Sequence, residues 1–186
     1  MTDKLFLTYF VGIDATGIYN IGFKIATIVV LFVTAFNNAY VPWLYNKLKI
    51  NTKESLNKAY KSTLYSGLLI VLICAGILVL LPYIFPIIVG EQFSSSINIS
   101  RIVLIGEVFN AFYLLLMSYI LFEKATKYIM YITLITSIVS IGFNYWLIPI
   151  FEAMGAAYTL LIVYFSKFIL TLGFAYRVHH KKQITT

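Results

Sequence analysis

Between Ile18 and Tyr176 the chain is a succession of long apolar segments, and the basic residues that interrupt them fall on one side only. A chain so patterned has to fold with the bilayer as its solvent. Of its 186 residues, 61% are hydrophobic and 11% charged, with a mean hydropathy of +0.89. A soluble domain carries about 25% charged residues, so no soluble core absorbs this composition. The 15 Tyr and 15 Phe fit the same frame, since rings anchor helix ends at headgroup level. The expected fold class is all-α, a polytopic transmembrane helix bundle.

Five runs are long enough to cross about 30 Å of hydrocarbon at about 1.5 Å per helical residue. They cover residues 18–41, 63–89, 102–122, 128–148 and 153–176. A sixth apolar run, 5–13, reaches only about 14 Å as a helix and cannot span. It reads as the end of a helix whose beginning is missing. The expectation is thus one bundle over residues 1–186, with 1–13 ending a truncated helix and 177–186 forming a tail. Pro42 is expected to end the first full span, Pro82 and Pro86 to break the outer end of the second, and Pro149 to end the fourth.

Charge sets the orientation. The segment 46–62 carries Lys47, Lys49, Lys53, Lys58 and Lys61; the connection 123–127 adds Lys124 and Lys127; the tail adds Arg177, Lys181 and Lys182. The other side holds Asp14, Glu91 and Glu152 with Arg101 as its one basic residue. Ten basic residues against one make the lysine-rich side, and the C-terminus with it, cytoplasmic. For the five lysines of 46–62, one reading is topology and contact with anionic headgroups, and the other is recruitment of substrate.

The net charge of +7 does not indicate nucleic acid, because the basic residues sit in short connections between apolar runs. Cys74 is the single cysteine, so an intramolecular disulfide and a multi-cysteine metal site are excluded. The residues MTDKLFLTYFVGID show no small-residue cleavage pattern. His179 and His180 are adjacent in the tail, and HExxH, P-loop, GxGxxG, GxSxG and DxD patterns are all missing. With no nucleophile–base pair and no paired acids, the chain is not expected to be an enzyme, to bind a metal or to need a cofactor.

Polar residues at membrane depth are costly and therefore informative. In the first full span Asn20, Lys24, Thr27, Leu31, Thr34 and Asn38 recur at helical spacing. The third has Ser100, Glu107, Asn110 and Ser118, and the fourth Thr133, Ser137, Ser140 and Asn144. For the Ser, Thr and Asn positions, one reading is hydrogen bonding that holds helices together and the other is a wet cavity. Lys24 and Glu107 lean toward function, since full charges carry the larger insertion cost. They could instead form one structural ion pair or neutralise. Lys167 is near enough to its helix end to snorkel.

Three stretches together resemble a known family. Asp3-Lys4-Leu5-Phe6-Leu7, followed by Thr16-Gly17-Ile18-Tyr19 and Lys24-Ile25-Ala26, is similar to the opening of the C-terminal half of bacterial polysaccharide flippases. The run 35–44, ending in Val41-Pro42-Trp43, is similar to the proline-terminated end of the next helix. Asn144-Tyr145-Trp146-Leu147-Ile148-Pro149, with Gly155-Ala156-Ala157-Tyr158-Thr159 after it, resembles the N-x-x-L-I-P and G-A-A-x-A-T signature. Glu152 departs from the glycine that commonly follows the aromatic residue, and Tyr158 from a smaller residue. The family belongs to the multidrug/oligosaccharidyl-lipid/polysaccharide exporter superfamily, and the resemblance runs from Asp3 to about Tyr176.

The resemblance implies one lobe of a two-lobe carrier in the bacterial cytoplasmic membrane, working by alternating access on an undecaprenyl-diphosphate-linked oligosaccharide. It implies that the N-terminal lobe is missing, because the sequence is a fragment, has a misassigned start or comes from a broken gene. Lys4 and Lys24 are then candidates for the diphosphate, and Asn20, Asn38 and Asn144 for sugars. Asp3 and Glu107 would hold the lysines or couple transport to protons or cations. Two rivals remain: a multidrug carrier of the same superfamily, and a non-transporting subunit that binds partners through small-residue faces such as Gly22 with Ala26 or Ala153 with Ala157. A membrane glycosyltransferase or acyltransferase is disfavoured by the missing motifs. The chain alone is not expected to transport.

Overall fold

A computed structural model describes residues 2–90 and 93–185, with side chains as far as Arg177. Glu91, and the side chains of His179, His180, Lys181 and Lys182, lie outside the described residues. The helices in chain order are α1 Thr2–Phe10, α2 Ile13–Ile50, α3 Lys53–Val89, α4 Ser96–Phe122 and α5 Thr126–Thr185. Among the described residues there is no strand.

Helices α2 to α5 are each long and apolar enough to cross a membrane. The last is not one rod. Glu152, at φ 51° and ψ −127°, interrupts it, and the chain reverses there. Tyr128 near its start stacks on Phe174 near its end, with ring centroids 4.9 Å apart, so the two halves run antiparallel. Gly155 makes the reversal possible: a Cβ at this position would collide with the Leu147 carbonyl. The fold-back turns four apolar helices into five crossing segments, while α1 is a helix of 9 residues, far short of a span.

The prolines behave differently from expectation. Pro42, Pro82 and Pro86 lie inside α2 and α3, and helix continues past Pro149 to Phe151. Each proline removes one backbone donor and frees the carbonyl four residues earlier, which for Pro42 belongs to the exposed Asn38. Membrane helices tolerate this where other groups or water satisfy the carbonyl. What ends α2 is Asn51, left-handed at φ 54°. Thr52 then caps α3: its hydroxyl accepts from the Ser55 N–H at 3.2 Å, and the Ser55 hydroxyl accepts from the Thr52 N–H at 3.1 Å. Residues 46–62, read as a connection, are therefore mostly a helical hairpin that buries Leu48, Ser55 and Ala59 and carries all five lysines.

At the centre is α4, which packs against α2, α3 and α5. It approaches α2 closely because Gly22 has no side chain: a Cβ there would lie 2.8 Å from the Ser96 carbonyl and from Ile99. Two serines of α4 use that proximity, Ser96 donating to the Ile18 carbonyl and Ser100 to the Gly22 carbonyl, both at 2.9 Å. Such bonds are worth about 0.6 kcal/mol each in membrane helices. Gly22, Ala26, Ala153 and Ala157 are all buried. The small-residue faces offered above to a partner are thus spent on packing within the chain.

Ring contacts show which helix ends lie together. Tyr45 of α2 meets Phe122 of α4 at 5.4 Å, and Tyr60 of α3 stacks on Tyr119 of α4 at 5.9 Å. The described basic residues of the hairpin, Lys124, Lys127 and Arg177 therefore gather at one end of the bundle, with Asp14, Arg101 and Glu152 at the other.

Candidate functional site

A polar cluster sits among α1, α2, α4 and the returning half of α5. Gly106 eases the approach of α5: a Cβ would come within 3.2 Å of the Leu160 side chain and 3.3 Å of that of Tyr164, a tight fit that these side chains would have to relieve by shifting. The next residue, Glu107, is 3% exposed. Its carboxylate accepts from the Asn110 amide at 2.9 Å, with the Tyr164 hydroxyl beside it. Lys167, one turn beyond Tyr164, holds its ammonium 5.4 Å from the Tyr164 ring centre and 5.6 Å from that of Tyr113, and it attracts Glu107 electrostatically. Burying a carboxylate unpaired is prohibitive, and here a cation, an amide and a phenol share the load.

Asp3 joins the same cluster from α1. The fully buried Tyr19 donates its hydroxyl to the Asp3 carboxylate at 2.5 Å. Tyr19 and Tyr164 each feel both Asp3 and Glu107, so the two acids and the two phenols form one electrostatic unit. Lys4, the next residue, lies over the Phe23 ring at 5.1 Å, a contact worth about 0.5–2 kcal/mol. Acidic oxygens lined by phenols can hold a proton or a small cation in a protected site.

The α2 stripe turns a different way. Lys24, Leu31, Thr34 and Asn38 are exposed, while Asn20 and Thr27 are half-buried and the Thr27 hydroxyl bonds its own helix at the Phe23 carbonyl. Neither Lys24 nor Lys167 forms an ion pair with Glu107 among the described residues; Lys167 is the cation that attracts Glu107 from a longer distance. Asn144 is fully buried, its amide 3.3 Å from the Ser140 hydroxyl and its oxygen without a partner among the described residues. It belongs to neither the cluster nor the open stripe. Thr133 and Ser137 face outward and bond their own helix.

Sequence reasoning found Asp3, Glu107 and Asn110 but missed Tyr19, Tyr113 and Tyr164, and it gave Lys167 to the membrane surface. The missed signal was a matched spacing. Glu107 and Asn110 on α4, and Tyr164 and Lys167 on α5, are both pairs three residues apart, which places each pair on one helix face.

These elements define a multi-pass membrane protein with a charged cluster at membrane depth. The MatE family model matches residues 1–146, and the chain belongs to that family of membrane transporters. Over 140 residues it is 24% identical to "Lsg locus putative protein 1" of Haemophilus influenzae, an alignment covering 75% of this chain and 35% of the relative. The chain thus spans about a third of the length of the curated relative it matches. No solved structure matches it.

Proposed function

We propose that this chain forms the C-terminal lobe of a carrier that moves a lipid-linked oligosaccharide across the bacterial cytoplasmic membrane by alternating access. The observation that carries the proposal is Lys24. It is exposed on the open face of α2, about 9 Å into the apolar run that starts at Ile18. A lysine facing hydrocarbon costs about 2.5–3.5 kcal/mol near the helix centre. A wet cavity walled on its far side by a second lobe removes that cost. An anionic diphosphate in the cavity would gain from the charge, because interactions strengthen in a low-dielectric setting.

In this reading Lys24, with Lys4 nearby on α1, binds the diphosphate of an undecaprenyl-linked substrate, and Asn20 and Asn38 offer hydrogen bonds to sugars. Asn144, fully buried, is left a structural role. Asp3 and Glu107 each lie beside a tyrosine hydroxyl, and Glu107 is buried, which suits coupling to protons or cations better than binding of cationic drugs. The lysine-rich end is the cytoplasmic one. In this reading the cavity needs a second wall, and residues 1–186 by themselves are not expected to transport.

The test uses the intact carrier in proteoliposomes and a diphosphate-linked oligosaccharide. Lys24→Gln is expected to slow translocation by roughly tenfold, the value of one charge-assisted contact, and Lys24→Arg to retain most of it. Undiminished translocation by Lys24→Gln, or transport of amphipathic cations in place of the lipid, would overturn the proposal.

A further inference from the structure

At the lysine-rich end an apolar groove of about 540 Å³ opens between α3 and the returning half of α5, with α4 as its floor. It lies outside both the charged cluster and the α2 stripe. Its α4 wall runs from Phe112 to Phe122, about 15 Å along the helix axis, which is about half the hydrocarbon thickness. The lining reaches Asn51 and Glu123, the residues that end α2 and α4, and this end is taken as its mouth. The volume falls within the usual range of about 300–1,000 Å³ for small-molecule sites.

Two features restrict the occupant. The polar residues of the lining, Asn51, Tyr60, Thr63, Tyr119, Glu123 and Tyr176, lie toward the mouth, and the deeper lining is apolar. There the Thr63 hydroxyl shares hydrogen bonds with Tyr119 at 2.5 Å and with Tyr40 at 2.8 Å. Around the mouth the charge is cationic. Lys53 and Lys61 are exposed and stand one turn from the lining residues Leu56 and Leu64. Lys124 and Arg177 directly follow the lining residues Glu123 and Tyr176 and are exposed as well. Glu123 is the one acidic residue in the lining. An apolar slot one leaflet deep, with hydroxyls and then cations at its entrance, matches a molecule with an apolar chain, a polar link and an anionic head.

We propose that this groove binds one acyl chain of an anionic phospholipid from the lysine-bearing leaflet, with the headgroup held by Lys53, Lys61 and Lys124. The site is separate from the transported substrate and does not depend on which substrate is carried.

Native mass spectrometry of the intact natural protein, titrated with phosphatidylglycerol and with phosphatidylcholine, tests this. The wild type should retain phosphatidylglycerol preferentially. Lys53→Gln and Lys61→Gln should each weaken that preference by about fivefold, the worth of one basic residue at an anionic surface, and Lys53→Arg should restore it. Ala175→Trp, which fills the groove, should remove retained lipid of both kinds. Equal retention of the two lipids, or no change in the lysine variants, which are surface changes that leave the fold alone, would overturn the proposal. So would preferential retention of a polyprenyl diphosphate over phosphatidylglycerol, or a helix from the rest of a longer chain found seated in the groove.

Discussion

Lys24 and Lys167 are both lysines in apolar helices, and they are housed in opposite ways. Lys167 on α5 is half-buried against Tyr113 and Tyr164 and within electrostatic reach of Glu107. Every group it needs comes from the same chain. Lys24 on α2 is exposed, with Leu31, Thr34 and Asn38 continuing its open face. The first charge is part of how the lobe is built. The second makes sense only in relation to something outside it. A membrane charge wrapped by its own fold contributes to the architecture, and in the proposed carrier the open one marks the surface that meets the second lobe.

The largest expected effect comes from dismantling the enclosed region. Lys167→Ala removes the ammonium stacked on Tyr113 and Tyr164 and the charge that attracts the buried Glu107, a loss of about 2 kcal/mol for a desolvated cation–π site. Thermal unfolding of the intact protein in detergent should show a clear drop in Tm. An unchanged Tm would mean that Lys167 and Glu107 do not support each other.

A smaller effect, of opposite sign, is expected far from both lysines. Glu152 occupies a positive-φ conformation that suits glycine, and such strain costs about 1–3 kcal/mol. Glu152→Gly should raise stability by about 1 kcal/mol, measured in the same unfolding assay, and a loss would contradict the assigned fold-back. Smallest of all is the effect of Lys24→Ala on stability, expected within about 0.5 kcal/mol as for an open surface position. Lys167→Ala and Lys24→Ala measured side by side thus separate a charge that holds the lobe together from one that does not.

Much of this was legible from the amino-acid order. Long apolar runs fix which segments span, because hydrocarbon thickness fixes helix length, and the one-sided lysines recur at one end of the bundle. The departure of Glu152 from the family's glycine was visible as well, and the structure supplies its meaning as a turn residue with φ of 51°. Less legible were the prolines. Pro42 looked like a helix end, yet α2 continues to Asn51, where the left-handed residue and the Thr52–Ser55 cap reverse the chain. A cap of that kind is a local pattern, but choosing it over a proline depends on packing of Leu44 and Leu48 that only the fold displays.

The charged cluster was half legible. Glu107 was conspicuous as an acid in an apolar run, and its partners were not, because Tyr19 and Tyr164 belong to helices distant in sequence. Lys167 was judged by its distance from a helix end, and that distance says nothing about which neighbours are in reach. The direction of the α2 stripe was not legible at all: helical spacing groups Lys24, Thr34 and Asn38 on one face but does not say whether that face turns inward.

The central claim is that the Lys24 face borders water at membrane depth, and cysteine accessibility measures this directly. The native Cys74 is buried, so replacing it with alanine gives a clean background. Single cysteines are then placed at position 24, at position 38 and at position 167 of the intact protein in native membranes, and each is treated with a membrane-impermeant maleimide. Lys24→Cys and Asn38→Cys should label readily and Lys167→Cys should stay protected. Labelling at position 24 only by a lipid-soluble reagent, with none by the impermeant one, would show that this face meets hydrocarbon and would contradict the account.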